Sequence, residues 1–243
     1  MPYRRLPNTD SSRFKALKCA FAKGKELPPF KLAFSQPTFQ KVQSFLPSFE
    51  HSMTLQKHAY STQIQKNKEY LSALKKAKLY LSHFIQVMNL AISREELPIS
   101  THAYYGLEND DKKVPPLNTE AEVIEWGNKL IEGEAKRVRD GKTPITNPTI
   151  ALVRVKYEQF MDAYNHQKTL QKNTYREQKK LAELRNHADE IILNIWNEVE
   201  NTFKDLPEDI KREKSKEYGL VYVYRKNEIE KINFLDFNRS VSI

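Results

Sequence analysis

Apolar residues recur along this chain at helical spacing. Phe39, Val42, Phe45, Leu46, Phe49 and Met53 fall three and four apart, as do Ile150, Val153, Tyr157, Phe160 and Tyr164. That period lines one face of a helix with side chains that need burial. A second stripe follows each: Leu71, Leu74, Ala77, Leu81, Phe84, Ile85, Met88 and Ile92, then Leu181, Leu184, Ala188, Ile191, Ile192, Ile195, Val199 and Phe203. Polar stretches, Gln56–Lys68 and Asn165–Lys180, separate the stripes and contain neither Gly nor Pro. One continuous helix and a hairpin both fit that pattern. A polar middle leaves a single long helix with nothing to bury at its centre, so the expectation is a hairpin of two helices of about 28 residues in each half.

Start and stop signals frame these helices. Asn8-Thr9-Asp10 and Thr119 with Glu122 read as capped starts of shorter opening helices, with Gly24 and Gly141 as stops. Gln36-Pro37 and Asn147-Pro148 read as N-cap followed by a first-turn proline. Pro47 lies inside a helical pattern and is expected to kink that helix or delay its start.

The two halves match in order. Asn8-Thr9-Asp10 corresponds to Asn118-Thr119-Glu120, Gln36-Pro37-Thr38 to Asn147-Pro148-Thr149, and Val42 and Phe49 to Val153 and Phe160. Gln56-Lys57 corresponds to Gln167-Lys168, Leu97-Pro98 to Leu206-Pro207, and Tyr105-Gly106-Leu107 to Tyr218-Gly219-Leu220. A nearly constant offset across an ordered series marks a tandem duplication. The expected fold is all-α: residues 6–107 and 117–220 are two helical repeats joined by a linker at 108–116. Their hairpins pack about a pseudo-twofold axis as a four-helix bundle, flanked by the short helices, in one domain. The tail, 221–243, is different. Leu220–Tyr224 is rich in strand formers and reads as a small β segment.

Composition agrees with few turns and long helices, since the 243 residues include only 6 Gly. Hydrophobic residues make up 39%, enough for a core. The single cysteine, Cys19, excludes an intrachain disulfide and a Cys-based zinc site, and reads as a buried structural thiol. No apolar run approaches the ~20 residues of a membrane span, and no apolar stretch follows Arg4-Arg5 to make a secretory signal. The expected location is the cytoplasm.

The strings YLSHFIQVMN (80–89), YYGL (104–107), NPT (147–149) and IWNEVE (195–200), with the opening PYRRLPNTD, resemble an uncharacterised protein family from Bacteroidetes over nearly the whole chain. The resemblance implies a self-contained, duplicated helical protein and carries no known activity, cofactor or functional residue.

Catalytic constellations are not evident. There is no Glu-x-x-His of the kind di-iron bundles use. Glu183 and His187 have no counterpart in the first repeat. Neither a Gly-x-Ser-x-Gly elbow nor a phosphate-binding Gly-rich loop occurs. Glu132-Gly133-Glu134 reads as helix punctuation, and His83 as a flank histidine. No metal, cofactor or catalytic residue is expected.

Charge is more informative. The formal net charge is +9, and residues 1–107 carry 16 basic and 6 acidic groups, so the first repeat holds +10 and the remainder −1. The candidate basic surface is Arg4, Arg5, Arg13, Lys15 and Lys18, with Lys75, Lys76 and Lys78 further along. The candidate partner-binding aromatics are Tyr222, Tyr224, Phe234 and Phe237 in the tail. The expected function is a non-enzymatic helical scaffold or protein-interaction protein, with a protein partner or a second copy. The alternative is a nucleic-acid-associated protein using the basic first repeat. A weaker alternative is an enzyme or ligand binder with a site between the repeats. No membrane partner is expected.

Overall fold

The computed structural model describes residues 3–107 and 113–224. Among these residues the fold is all-α apart from one two-stranded antiparallel pair. Strand β1, Tyr3–Arg4, precedes α1, Asp10–Glu26, and α2, Gln36–Ser93. Then come a 3-10 helix at Ile99–Tyr105, α3 at Glu120–Arg139, α4 at Ile150–Thr202, α5 at Glu208–Lys216 and β2 at Tyr222–Val223.

The hairpins expected within 36–93 and 150–202 do not form. α2 is one helix of 58 residues and α4 one of 53. Without Gly or Pro in their polar middles, nothing interrupts the backbone hydrogen-bond ladder there. The polar middles serve another end. The chain divides into two compact units, one of residues 1–58 and 175–243, the other of 59–174. Both divisions fall within the polar stretches, at 58/59 and 174/175. The break in each apolar stripe therefore marks the passage of a helix from one hydrophobic core to another. The units also cut across the boundaries 6–107 and 117–220, for each takes segments from both halves of the sequence.

Pro47 neither delays α2 nor ends it. A mid-helix proline leaves the carbonyl four residues earlier unbonded, here that of Gln43. Both residues are exposed rather than part of the core. Asn147 is not the N-cap of α4. Its φ is 57°, and Thr149 caps instead, its Oγ1 accepting from the Leu152 N–H at 3.4 Å. The opening helices are capped as their sequences imply. Thr9 pairs with Ser12 and Thr119 with Glu122 in reciprocal capping boxes.

In the first unit, α1 contributes Leu17 and Ala20, α2 Val42 and Phe49, and α4 Ile192, Trp196 and Val199 to one core. Full burial of one such side chain contributes about 1.5–3 kcal/mol. Gly24 does not stop α1, which runs on to Glu26. A Cβ at Gly24 would lie 2.1 Å from the Phe39 ring, so its place is set by the close approach of that ring. Polar contacts register the helices: the Glu198 carboxylate accepts from the Ser35 N–H and from the Thr38 hydroxyl at 2.7 Å. The β segment of the tail pairs with the N-terminal strand, Tyr3 opposite Val223 and Arg4 opposite Tyr222.

In the second unit, α2 and α4 run antiparallel, for Tyr70 meets Phe160 (ring centroids 6.3 Å apart) while Asn67 accepts from Gln167 at 3.2 Å. Leu81, Phe84, Ile85 and Met88 form the core with Val153, Phe160, Leu130 of α3 and Tyr105. Leu71 does not join the stripe to which its spacing assigns it. It is 52% exposed, and Tyr70 takes the inward position.

Candidate functional site

The sequence-predicted basic residues are divided between the units, five in the first and three in the second. Several are consumed by local structure. Arg4 Nη1 donates to Glu200 and to Asn197, both at 2.9 Å, and Arg13 donates twice to Asp189. Lys78 donates to the Asn118 carbonyl at 2.9 Å. Arg5, Lys15, Lys18, Lys75 and Lys76 are exposed. Arg5 and Lys15 line a cleft of about 490 Å³ in the first unit, with Lys216, Trp196, Leu220 and the half-buried Cys19. No carboxylate lines that cleft among the described residues.

Of the tail aromatics, Tyr222 is half-buried, and its hydroxyl donates to Glu200 at 2.7 Å. Burial, then the bond to Glu200, pushes the Tyr222 phenol up to about 12. Tyr224 is half-buried beneath the Lys216 ammonium. Phe234 and Phe237 lie outside the described residues. Glu183, His187 and His83 are exposed, and no cluster of three or more potential metal ligands occurs among the described residues.

Two features escaped sequence reasoning. The first is an exposed apolar stripe on α2. Tyr60, Ile64 and Leu71 are 53%, 49% and 52% exposed. At 100° per residue they fall within an arc of about 40°.

The second is a buried polar cluster. Gly133 and Glu134, read above as punctuation, are instead the point at which α3 receives the 3-10 helix. A Cβ on Gly133 would lie 2.5 Å from the Tyr104 carbonyl oxygen, so only glycine allows that approach. The approach sets Tyr105 against α3. Its hydroxyl donates to Glu134 Oε2, as does Arg137 Nε at 2.8 Å; Oε1 accepts from the Ile145 N–H at 2.7 Å and from Arg137 Nη2 at 3.3 Å. Arg137 Nη2 also donates to the Thr143 carbonyl. Glu134 and Arg137 are almost completely buried. Burial alone would raise the carboxyl of Glu134, but the donors from Arg137, Tyr105 and Ile145 outweigh it and hold it below its ordinary range. The Tyr105 hydroxyl is pushed well up by burial and by Glu134, so it remains a neutral donor. The cluster therefore holds a paired charge, a state that burial tolerates only with such satisfaction.

Arg137 also lines a cleft of about 900 Å³, entirely within the second unit, together with Leu90, Leu97, Thr101, Lys142 and Ile145. Beside it, His102 is buried, its Nε2 2.8 Å from Asn89 Oδ1. A sequence gives little warning of this cluster, because Tyr105, Glu134 and Arg137 are assembled from two elements and a loop. A Glu and an Arg three apart on a helix are the one visible signal, and on most helices that spacing is a surface pair.

No family model matches the chain, and no curated protein and no solved structure matches it.

Proposed function

We propose that the protein is a non-enzymatic helical scaffold that binds a protein partner through the face of α2 carrying Tyr60, Ile64 and Leu71. The observation behind this reading is the exposure of three large apolar side chains along one narrow arc of a long helix, a pattern suited to receiving an amphipathic helix. The partner is a second copy or another protein, and the cytoplasm is the proposed location. No helix among the described residues is long and apolar enough to cross a membrane.

A tandem duplication and membership of the Bacteroidetes family belong to the same proposal. What supports the duplication is local. Capping boxes stand at Thr9 and Thr119, and Gly106 and Gly219 share left-handed backbone, φ 69° and 89°, after a buried Tyr105 or Tyr218. A pseudo-twofold packing of the two copies is proposed with it.

The test is a pull-down with the tagged full chain, treated with nuclease, comparing wild type with Ile64→Lys. A stoichiometric protein retained by wild type and lost by the variant supports the scaffold, as does self-association of wild type in light scattering that the variant abolishes. Retention of the same partner by Ile64→Lys would rule out this face.

A second reading, an acidic partner such as nucleic acid, is favoured by one observation: Arg5 and Lys15 have no carboxylate partner among the described residues, whereas Arg4 and Arg13 of the same unit do. That reading expects oligonucleotide binding that weakens steeply with salt and falls further in Arg5→Gln/Lys15→Gln. Absence of binding at low salt eliminates it.

A further inference from the structure

The cleft of the second unit holds a feature that a structural ion pair does not require. Arg137 is 1% exposed, and three of its five guanidinium N–H groups, those on Nε and Nη2, are spent on Tyr105, Glu134 and Thr143. The remaining nitrogen, Nη1, has no partner among the described residues, and Arg137 is part of the cleft lining. Nη1 is not a buried atom, so it reaches solvent at the cleft, where an anionic acceptor makes a stronger, charge-assisted hydrogen bond than water does. Because Glu134, Tyr105 and the Thr143 carbonyl fix the guanidinium from behind, Nη1 is held in position before any ligand arrives.

Charge and shape narrow the acceptor. Three cations line the cleft. Arg137 is paired with Glu134, Arg94 with Glu96 at 2.7 Å, and Lys142 has no carboxylate partner among the described residues. The lining therefore has one positive charge in excess, which suits a monoanion better than a phosphate dianion. The lining includes the apolar Val87, Leu90 and Leu97 and the hydroxyl-bearing Thr101 and Thr143. The volume of about 900 Å³ falls in the range of small-molecule sites.

We propose that this cleft binds a small monocarboxylate with an apolar body, its carboxylate accepting from Arg137 Nη1 and facing Lys142, its hydrocarbon lying along Leu90 and Leu97. The inference is independent of the α2 surface proposed above. No bond is made or broken; the site is a receptor for the anion.

Hexanoate is the probe and hexanamide, uncharged and of the same shape, its control. Titration into the isotopically labelled full chain, followed by amide NMR, is expected to shift the signals of Thr101, Thr143, Ile145 and Thr146, with a Kd on the order of 1 mM or tighter. Hexanamide is expected to bind at least tenfold more weakly. Replacing Arg137 risks the fold, so the variants are at exposed positions. Leu90→Glu sets a carboxylate in the cleft lining and is expected to weaken hexanoate at least tenfold. Lys142→Gln is expected to weaken it about threefold, and Lys172→Gln, outside the cleft, to leave it unchanged. Equal binding of hexanamide, wild-type affinity in both Leu90→Glu and Lys142→Gln, or no shifts at a hexanoate concentration of about 10 mM would each overturn the proposal.

Discussion

Arg13 and Asp189, 176 residues apart in sequence, form a two-point ion pair between α1 and α4, Nε to Oδ1 at 2.7 Å and Nη2 to Oδ2 at 2.9 Å. One helical turn away, Arg185 and Asp10 repeat the arrangement with the charges exchanged, at 2.7 and 2.8 Å. The guanidinium fork matches the carboxylate, so these pairs set the register of α1 on α4 as well as attracting it. A double-mutant cycle of Arg13→Ala and Asp189→Ala in urea denaturation is expected to give a coupling of about 1 kcal/mol, at the upper end for partly exposed pairs. A coupling indistinguishable from zero would show that packing alone sets the register.

Gly24→Ala tests the balance of two opposed effects. Alanine in a helix interior is favoured over glycine by about 1 kcal/mol. Here its Cβ would meet the Phe39 ring at 2.1 Å, and overpacking of that kind costs about 1–3 kcal/mol. Net destabilisation is expected, read as a lower urea midpoint, and the double variant Gly24→Ala/Phe39→Leu should recover part of it. A stabilised single variant would contradict the close approach of α1 and α2.

The continuity of α2 is open to a similar test. Gln63 lies in the polar middle of the helix. A proline there removes one backbone hydrogen bond and clashes with the preceding turn, at a cost of about 3 kcal/mol. Gln63→Pro should lose stability while Gln63→Ala does not, with the helical circular dichroism reporting the change. At a hairpin tip the proline would be nearly neutral, so equal stability of the two variants would restore the hairpin.

Acid should weaken the fold through Glu198 as well as Glu134. Burial raises the Glu198 carboxyl, but the Ser35 N–H and the hydroxyls of Thr38 and Ser35 outweigh it, and the folded pKa lies below the ordinary 4.5. A depressed carboxylate contributes stability that is complete above its unfolded pKa and is lost as pH falls through the folded one. Thermal unfolding followed from pH 7 to pH 3 should therefore show a falling Tm below about 4.5. Glu198→Gln should cost about 1 kcal/mol at pH 7 and differ less from wild type at pH 3. A constant difference across that range would assign the loss to something other than the carboxylate's charge.

The apolar period, the capping boxes and the absence of interior Gly and Pro were enough to specify an all-α chain, because these are local properties of the helix backbone and its exposed ends. They also placed most core positions, among them Val42, Phe49, Leu81, Ile85, Val153, Phe160 and Ile192. Local signals did not settle what the polar middles mean. A loss of apolar residues reads alike for a turn and for a helix leaving one core for the next, and only the continuous α2 and α4 distinguish them. The same limit hid the exposed stripe. Leu71 and Tyr70 are adjacent, and which of them faces inward depends on the helix against which α2 packs. It hid the cleft as well. Tyr105, Glu134, Arg137 and the Ile145 N–H lie up to 40 residues apart, and the low-dielectric environment that makes them a paired, fixed donor set arises only when tertiary packing excludes water from around them.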